Sequence, residues 1–172
     1  MDVPSDSYRI TAVCLGNICR SPIAEAVLRD RVGAAGLGDV VVVDSAGTGD
    51  WHLGHGADPR SLSTLAANQY VLNDHTARQI TAEWFERLDL ILAMDSANYR
   101  DLQVLAERAR VEPNLHMLRA FDPTLSHLQA PHTELDVPDP YYGGDDGFND
   151  VLSMIEAAAD GLITQLPAQM DR

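Results

Sequence analysis

Residues 13–22 read VCLGNICRSP, and both cysteines of the 172-residue chain, Cys14 and Cys19, lie in this stretch. A β-prone segment at residues 8–13 precedes it, and a helix-prone segment that begins at Pro22 follows it. The order is therefore strand, loop and helix. In an open parallel sheet such a loop lies at the carboxyl end of its strand, where ligands bind.

The helix-prone segment carries signals for both of its ends. Ser21 is the predicted cap because a serine side chain can accept a hydrogen bond from the first turn, and Pro22 suits the first helical position. Gly33 and Gly36 are the predicted stop signals.

The rest of the chain alternates predicted strands with predicted helices. Further strands are predicted at residues 40–43, 88–94 and 114–118. Further helices are predicted at residues 60–67, from a cap at Asp95 or Ser96 to residue 110, and at residues 150–166. Residues 40–43 are consecutive valines, typical of a strand that is buried on both faces of a parallel sheet. We therefore predict one α/β domain over residues 1–172, a three-layer sandwich around a short parallel sheet of about four strands.

Charge and composition restrict the function classes. The net charge of -14 argues against a nucleic-acid partner, which would be bound through its phosphates by lysine and arginine. No apolar run approaches the roughly 20 residues of a membrane span, and the first seven residues lack the features of a secretion signal. We expect a cytoplasmic protein without a membrane partner, whose two thiols are kept reduced.

The loop after the first strand has the chemistry of a phosphate-binding loop. Backbone N–H groups of residues 15–20 would point inward, and the helix dipole adds positive potential. Cys14 would then lie beneath the phosphorus, while Arg20 offers its planar fork to two phosphoryl oxygens. The positive surroundings favour the Cys14 thiolate, which is a nucleophile. Ser21 could donate to this sulfur, and Asn17 could hold the loop backbone through side-chain hydrogen bonds.

The motif CLGNICRSP, with CxxxxxRS inside it, resembles the signature of the low-molecular-weight protein tyrosine phosphatases. The resemblance extends through most of the chain, in the blocks DSAGT at 44–48, DWH at 50–52, DPR at 58–60, DHTAR at 74–78, AMD at 93–95 and DPYY at 139–142. It implies hydrolysis of phosphotyrosine-containing proteins through a cysteinyl-phosphate, on a four-stranded parallel sheet and without a metal ion or other cofactor.

The resemblance also implies roles for individual residues. Asp139 would protonate the departing phenolate, whose pKa of about 10 makes it a poor leaving group, and would then activate water. By residue type alone, four other acidic residues compete for this role, namely Asp122, Asp136, Asp145 and Asp146. The substrate-binding residues implied are Leu15, Gly16, Asn17, Ile18, Cys19 and Ser21 in the loop and Trp51, Tyr141 and Tyr142 around the phenyl ring. Ser45 and His75 would join the hydrogen-bond network behind the loop.

Several alternatives remain open. An arsenate reductase on the same fold would need further cysteines, and residues 20–172 contain none. Arginine phosphatases of this family tend to carry threonine where this chain has Ile18. A binding module for phosphoproteins would lack part of the catalytic set, and a thiol redox protein would carry a CxxC pair.

Three further interpretations concern residues at the edge of the site. Cys19 either packs in the core or forms a reversible disulfide with Cys14 that protects the nucleophile. His52 and His55 have a spacing that resembles a metal pair, but no third ligand accompanies them, so we predict no metal site. The proline-rich and acidic segment at residues 121–149 is expected to favour phosphotyrosine that is flanked by basic residues.

Overall fold

The computed structural model describes residues 6–171, apart from the side chain of Asp145. Four parallel strands form one sheet in the order β2-β1-β3-β4, with β1 at Tyr8–Cys14, β2 at Val41–Gly47, β3 at Leu90–Ala93 and β4 at Leu115–Met117. The α-helices are α1 at Arg20–Ala34, α2 at Pro59–Ala67, α3 at Ser96–Ala109 and α4 at Asp145–Met170. Short 3-10 helices lie at Ala82–Glu86, Leu118–Phe121, Pro123–Leu125 and Thr133–Leu135. The predicted α/β class and the four-stranded parallel sheet are confirmed.

Helices cover both faces of the sheet. The helices α1, α2 and α4 contact one another on one face, and α3 packs on β3 and β4 at the other. Strand β1 alternates between the two layers, because successive strand side chains point to opposite faces. Ile10, Ala12 and Cys14 join the core beneath α1 and α4, whereas Val13 joins the core beneath α3. This alternation turns the Cys14 side chain toward the face that carries α1.

Two elements differ from prediction next to the first loop. Strand β2 continues beyond the valines, because Asp44 and Ser45 remain paired with β1 and the Thr11 hydroxyl donates to Asp44. Helix α1 begins at Arg20, before Pro22, and no side chain caps it. The prediction of Ser21 as the cap is therefore wrong, and the Ser21 hydroxyl lies against the Cys14 sulfur instead.

The ends of the other helices also shift. Helix α1 runs past Gly33 and is followed by Gly36, whose φ of 75° is left-handed. Helix α4 begins at residue 145 rather than 150, where the acidic Asp146 in its first turn suits the positive end of the helix dipole. It also continues past Pro167, because Gln169 is buried and Met170 packs on the core.

The remaining helix signals agree with the structure. Of the two predicted caps of α3, Asp95 and Ser96, the structure has Asp95, whose carboxylate accepts a hydrogen bond from Asn98 N at 2.7 Å. Within residues 6–171, none of the helices combines the length and apolar character that a bilayer span requires. The prediction that residues 1–7 carry no secretion signal falls largely on residues 1–5, which lie outside the described residues.

Candidate active site

The loop between β1 and α1 curls over the sulfur of Cys14. Cys14 ends β1, its Sγ lies 3.0 Å from Ser21 Oγ, and it accepts a hydrogen bond from the Asn17 N–H at 3.3 Å. Strand β2 supports the loop from behind, and a Cβ at Gly47 would lie 2.6 Å from the Leu15 carbonyl oxygen. Glycine at this position therefore allows the loop to pack directly on the end of β2.

Asn17 fixes the shape of the loop. Its φ of 57° is left-handed, a conformation in which asparagine is enriched. Its side-chain Nδ2 donates to Ser21 Oγ at 2.8 Å and to Ser45 Oγ at 3.0 Å, and its Oδ1 accepts from Arg78 N at 2.9 Å. His75 Nε2 lies 2.7 Å from the Asn17 carbonyl oxygen. Four side chains predicted for the site, the buried Asn17, Ser21 and Ser45 and the half-buried His75, therefore form a network behind the loop rather than its open surface.

The network continues to a carboxylate that the sequence did not suggest. Ser45 Oγ donates to Glu25 Oε1 at 3.2 Å, and Glu25 is buried in α1 with Arg29 Nη1 at 3.5 Å from its other oxygen. Burial raises the pKa of Glu25, against the effect of the Arg29 charge. A glutamate among alanine, valine and isoleucine on α1 is the only sequence signal that could have pointed to it.

Arg20 is held at the base of the site by three groups. Its Nη1 donates to Asp95 Oδ2 at 2.6 Å and to the Val137 carbonyl oxygen at 3.0 Å, and its Nη2 lies 3.6 Å from Asp139 Oδ2. Burial opposes the charge of Arg20, but the neighbouring charges of Cys14 and Asp95 raise its pKa. The guanidinium is therefore a fixed cation beside the Cys14 sulfur.

These groups surround a cavity of about 410 Å³. Its lining comprises Cys14, Leu15, Gly16, Ile18, Cys19, Arg20, Trp51, His52, Asp139, Tyr141 and Tyr142. Trp51 and Tyr142 are 69% and 93% exposed, and the Tyr141 and Tyr142 rings pack edge to face with their centroids 4.8 Å apart. The cavity thus has a sulfur and a cation at its base and aromatic rings at its mouth.

His52 and the two cysteines lie at the edge or base of the cavity. His52 lines the cavity near Tyr141, a position that its spacing to His55 did not suggest. Within residues 6–171 no group of three or more histidine, cysteine or acidic side chains could hold a metal ion. Cys14 and Cys19 are both free thiols, and burial, with the charge of Asp58 next, raises the pKa of Cys19 to about 12.

A family model described as low molecular weight phosphotyrosine protein phosphatase matches residues 9–172. The chain belongs to this family. The members are hydrolases, and a cysteine nucleophile is general to them.

Individual proteins agree with the family assignment. A low molecular weight protein-tyrosine-phosphatase of Streptomyces coelicolor is 51% identical, over 96% of this chain and 97% of its own. The crystal structure of a protein tyrosine phosphatase from Entamoeba histolytica matches with a TM-score of 0.81 and 34% identity, over 94% of this chain and 98% of that one. The structure of a Drosophila arginine phosphatase matches with a TM-score of 0.81 and 29% identity, over 91% and 96%.

The acidic residues of this phosphatase differ in their access to the cavity. Asp139 lines it and keeps 40% of its side chain exposed. Asp122 is buried and accepts from Thr124, and Asp136 accepts from both the backbone N–H and the hydroxyl of Ser96 at 2.7 Å. Asp146 lies in α4, outside the lining. Among the acidic side chains that the structure describes, Asp139 is thus the one that reaches the cavity.

Proposed function

We propose that this phosphatase hydrolyses phosphotyrosine in proteins through a cysteinyl-phosphate on Cys14, without a metal ion. One observation carries the proposal. The Cys14 sulfur lies at the base of the cavity, accepts the Asn17 N–H, lies 3.0 Å from the Ser21 hydroxyl oxygen and is beside the fixed guanidinium of Arg20. A thiolate in such surroundings is stabilised as an anion and can attack phosphorus.

In the first step, the Cys14 sulfur forms a bond to phosphorus as the bond from phosphorus to the phenolic oxygen breaks. Arg20 and the loop N–H groups hold the phosphoryl oxygens and stabilise the charge that they gain. The phenol of tyrosine has a pKa of about 10, so its oxygen leaves more easily when it is protonated. Asp139 supplies this proton from the edge of the cavity.

In the second step, the Asp139 carboxylate accepts a proton from water. The water oxygen forms a bond to phosphorus while the bond from sulfur to phosphorus breaks, and inorganic phosphate is released. A hydrogen bond from the Ser21 hydroxyl stabilises the Cys14 thiolate as it departs. The enzyme returns to its starting state with Asp139 protonated.

The mouth of the cavity supports an aryl substrate. Trp51, Tyr141 and Tyr142 offer aromatic surfaces against which a tyrosine ring can pack, and Ile18 adds an apolar side chain to the lining. The similarity to a Drosophila arginine phosphatase makes phosphoarginine the second candidate substrate. We further propose a cytoplasmic location, because the nucleophile must stay a free thiol, as both cysteines are here.

A chelator-treated substrate panel tests the proposal. We expect turnover of p-nitrophenyl phosphate and phosphotyrosine, and far slower turnover of phosphoserine and phosphoarginine. Acid quenching during turnover, followed by mass spectrometry, should find a phosphoryl group on Cys14 in the native enzyme and in the matched Cys19→Ser control. Cys14→Ser should bind phosphate without turnover. Faster hydrolysis of phosphoarginine, or a phosphoryl group absent from Cys14, would contradict the proposal.

A further inference from the structure

The start of α2 is attached to the phosphate-binding loop. The Asp58 N–H donates to the Ile18 carbonyl oxygen at 2.8 Å, and the Ser61 hydroxyl donates to the Cys19 carbonyl oxygen at 3.3 Å. Asp58 also caps α2 by accepting from the Arg60 N–H at 2.8 Å. Any side chain that leaves this turn therefore has a base that is fixed relative to the phosphate-binding loop.

Arg60 leaves this turn and reaches the segment that carries Asp139. We define residues 138–144 as the acid loop. Arg60 Nη2 donates to the Tyr141 carbonyl oxygen at 2.9 Å, and Nη1 approaches the Gly143 carbonyl oxygen at 3.4 Å. The guanidinium carbon also lies 4.7 Å from the centroid of the Phe148 ring of α4. Arg60 thus contacts the acid loop and the helix that follows it.

Asp58 orients the guanidinium for these contacts. Arg60 Nε donates to Asp58 Oδ1 at 3.1 Å and Nη2 donates to Asp58 Oδ2 at 3.0 Å. A planar guanidinium can make such a bidentate pair with a carboxylate, whereas a lysine ammonium cannot. Hydrogen bonds from Arg60 hold the pKa of Asp58 below its ordinary value, against the opposing effect of burial. The pair therefore stays charged at neutral pH.

Asp139 has a direct connection to the backbone that Arg60 holds. The Tyr141 N–H donates to Asp139 Oδ1 at 3.1 Å, and the Tyr141 carbonyl oxygen accepts from Arg60. The peptide units on either side of Tyr141 thus connect the Asp139 carboxyl to the Arg60 guanidinium. A shift of this residue would move the Asp139 carboxyl away from the leaving-group oxygen.

We propose that Arg60 is a positioning residue that holds the acid loop against the phosphate-binding loop and so places the Asp139 carboxyl for proton transfer. The inference rests on the proposed function, in which Asp139 is the acid. Arg60 does not line the cavity. It acts through Asp139.

The test compares leaving groups, because only a basic phenolate needs the proton. We expect Arg60→Ala to lower kcat/KM for phenyl phosphate about tenfold. This loss is a part of the roughly 10²–10⁴-fold rate acceleration that general acid catalysis contributes. For dinitrophenyl phosphate, whose phenol is far more acidic, kcat/KM should change by less than about twofold. The inhibition constant of inorganic phosphate should stay unchanged. Arg108→Ala, at an exposed arginine in the last turn of α3, is the matched control and should resemble the native enzyme with both substrates.

A double-mutant cycle with Asp139→Ala separates this inference from the proposed function. In the Asp139→Ala background, Arg60→Ala should lower kcat/KM for phenyl phosphate by less than about twofold, because the two residues act as one unit. Additive losses, or equal losses for both leaving groups, would overturn the inference. Normal activity of the Asp139→Ala single variant would instead overturn the assignment of the acid.

Arg60→Lys keeps the test decisive if Arg60→Ala does not fold, as thermal unfolding will show. Lysine retains the charge beside Asp58 but cannot bond Asp58 and both carbonyl oxygens with one planar group. We expect a leaving-group-dependent loss of the same kind but smaller. A lysine variant with the leaving-group dependence of the native enzyme would overturn the inference, because charge alone would then suffice.

Discussion

At the residue scale, Cys14 and Cys19 are the same residue type in one loop, but their surroundings differ. The Cys14 sulfur accepts the Asn17 N–H and lies beside the Arg20 cation. For Cys19 the largest influences disfavour the thiolate, since burial and then the negative charge of Asp58 raise its pKa to about 12. At neutral pH the Cys19 thiol is therefore protonated.

This contrast predicts selective alkylation. A thiolate reacts with iodoacetate and a thiol does not, so at neutral pH we expect modification of Cys14 alone, although both side chains line the cavity. Peptide mass mapping at limited reaction times measures the two positions separately. Inorganic phosphate should protect Cys14, and Cys14→Ser should leave the protein unlabelled. Labelling of Cys19 at a comparable rate would show that its surroundings do not keep it protonated.

Local sequence identified the residues of the loop but not the partners that hold them. Cys14 and Arg20 could be predicted because strand, loop and helix follow one another along the chain. Asp95 was predicted only as a cap, yet it also binds Arg20 from 75 positions away. Glu25 and Arg60 were not predicted as parts of the site, because their roles depend on where β2 and the acid loop pack.

At the element scale, the order of strands and helices followed from sequence periodicity, while their ends did not. Strand β2 extends through Asp44 and Ser45 because β1 lies beside it in register. Helix α4 continues past Pro167 because its last turn packs on the core. Pairing with β1 therefore decides where β2 ends, and packing on the core decides where α4 ends. The local sequence pattern of either element does not contain this information.

Gly161 of α4 shows how closely two elements approach. A Cβ at this position would lie 1.8 Å from the Phe121 carbonyl oxygen, in the 3-10 helix that precedes the acidic segment. We predict that Gly161→Ala destabilises the fold by about 2 kcal/mol or more, because overpacking outweighs the gain in helix propensity. Chemical denaturation at equilibrium measures the free energy of unfolding.

Gly33 in α1 provides the matched comparison. Nothing lies within 4 Å of a Cβ built there, and its backbone is helical. Gly33→Ala should therefore stabilise the protein by roughly 0.5 kcal/mol, from helix propensity and the lower entropy of the unfolded chain. If the two variants changed the free energy of unfolding in the same direction, the close approach at Gly161 would not govern its effect.

At the scale of the whole molecule, a chain with a net charge of -14 carries the cavity that we propose to bind a phosphate. The cation at the base is Arg20, which is 2% exposed and bound to Asp95. The described acidic side chains near the mouth, by contrast, reach solvent, with Asp139 in the lining and the exposed Asp50 beside Trp51. In the proposed complex, the phosphate would meet the positive charge of Arg20, while the substrate residues on either side of the phosphotyrosine would meet the negative charges of Asp139 and Asp50.

This arrangement predicts a preference for phosphotyrosine that is flanked by arginine or lysine. At low ionic strength we expect kcat/KM for an arginine-flanked phosphopeptide to exceed that for a glutamate-flanked one by about tenfold, through faster association. The ratio should approach one in about 1 M salt, where charges are screened within about 3 Å. Asp50→Asn should reduce the ratio more than Asp101→Asn, which makes the same charge change at an exposed position on α3. Equal kcat/KM for both peptides at low salt would mean that the acidic mouth does not select the substrate, because the flanking residues would then not experience its potential.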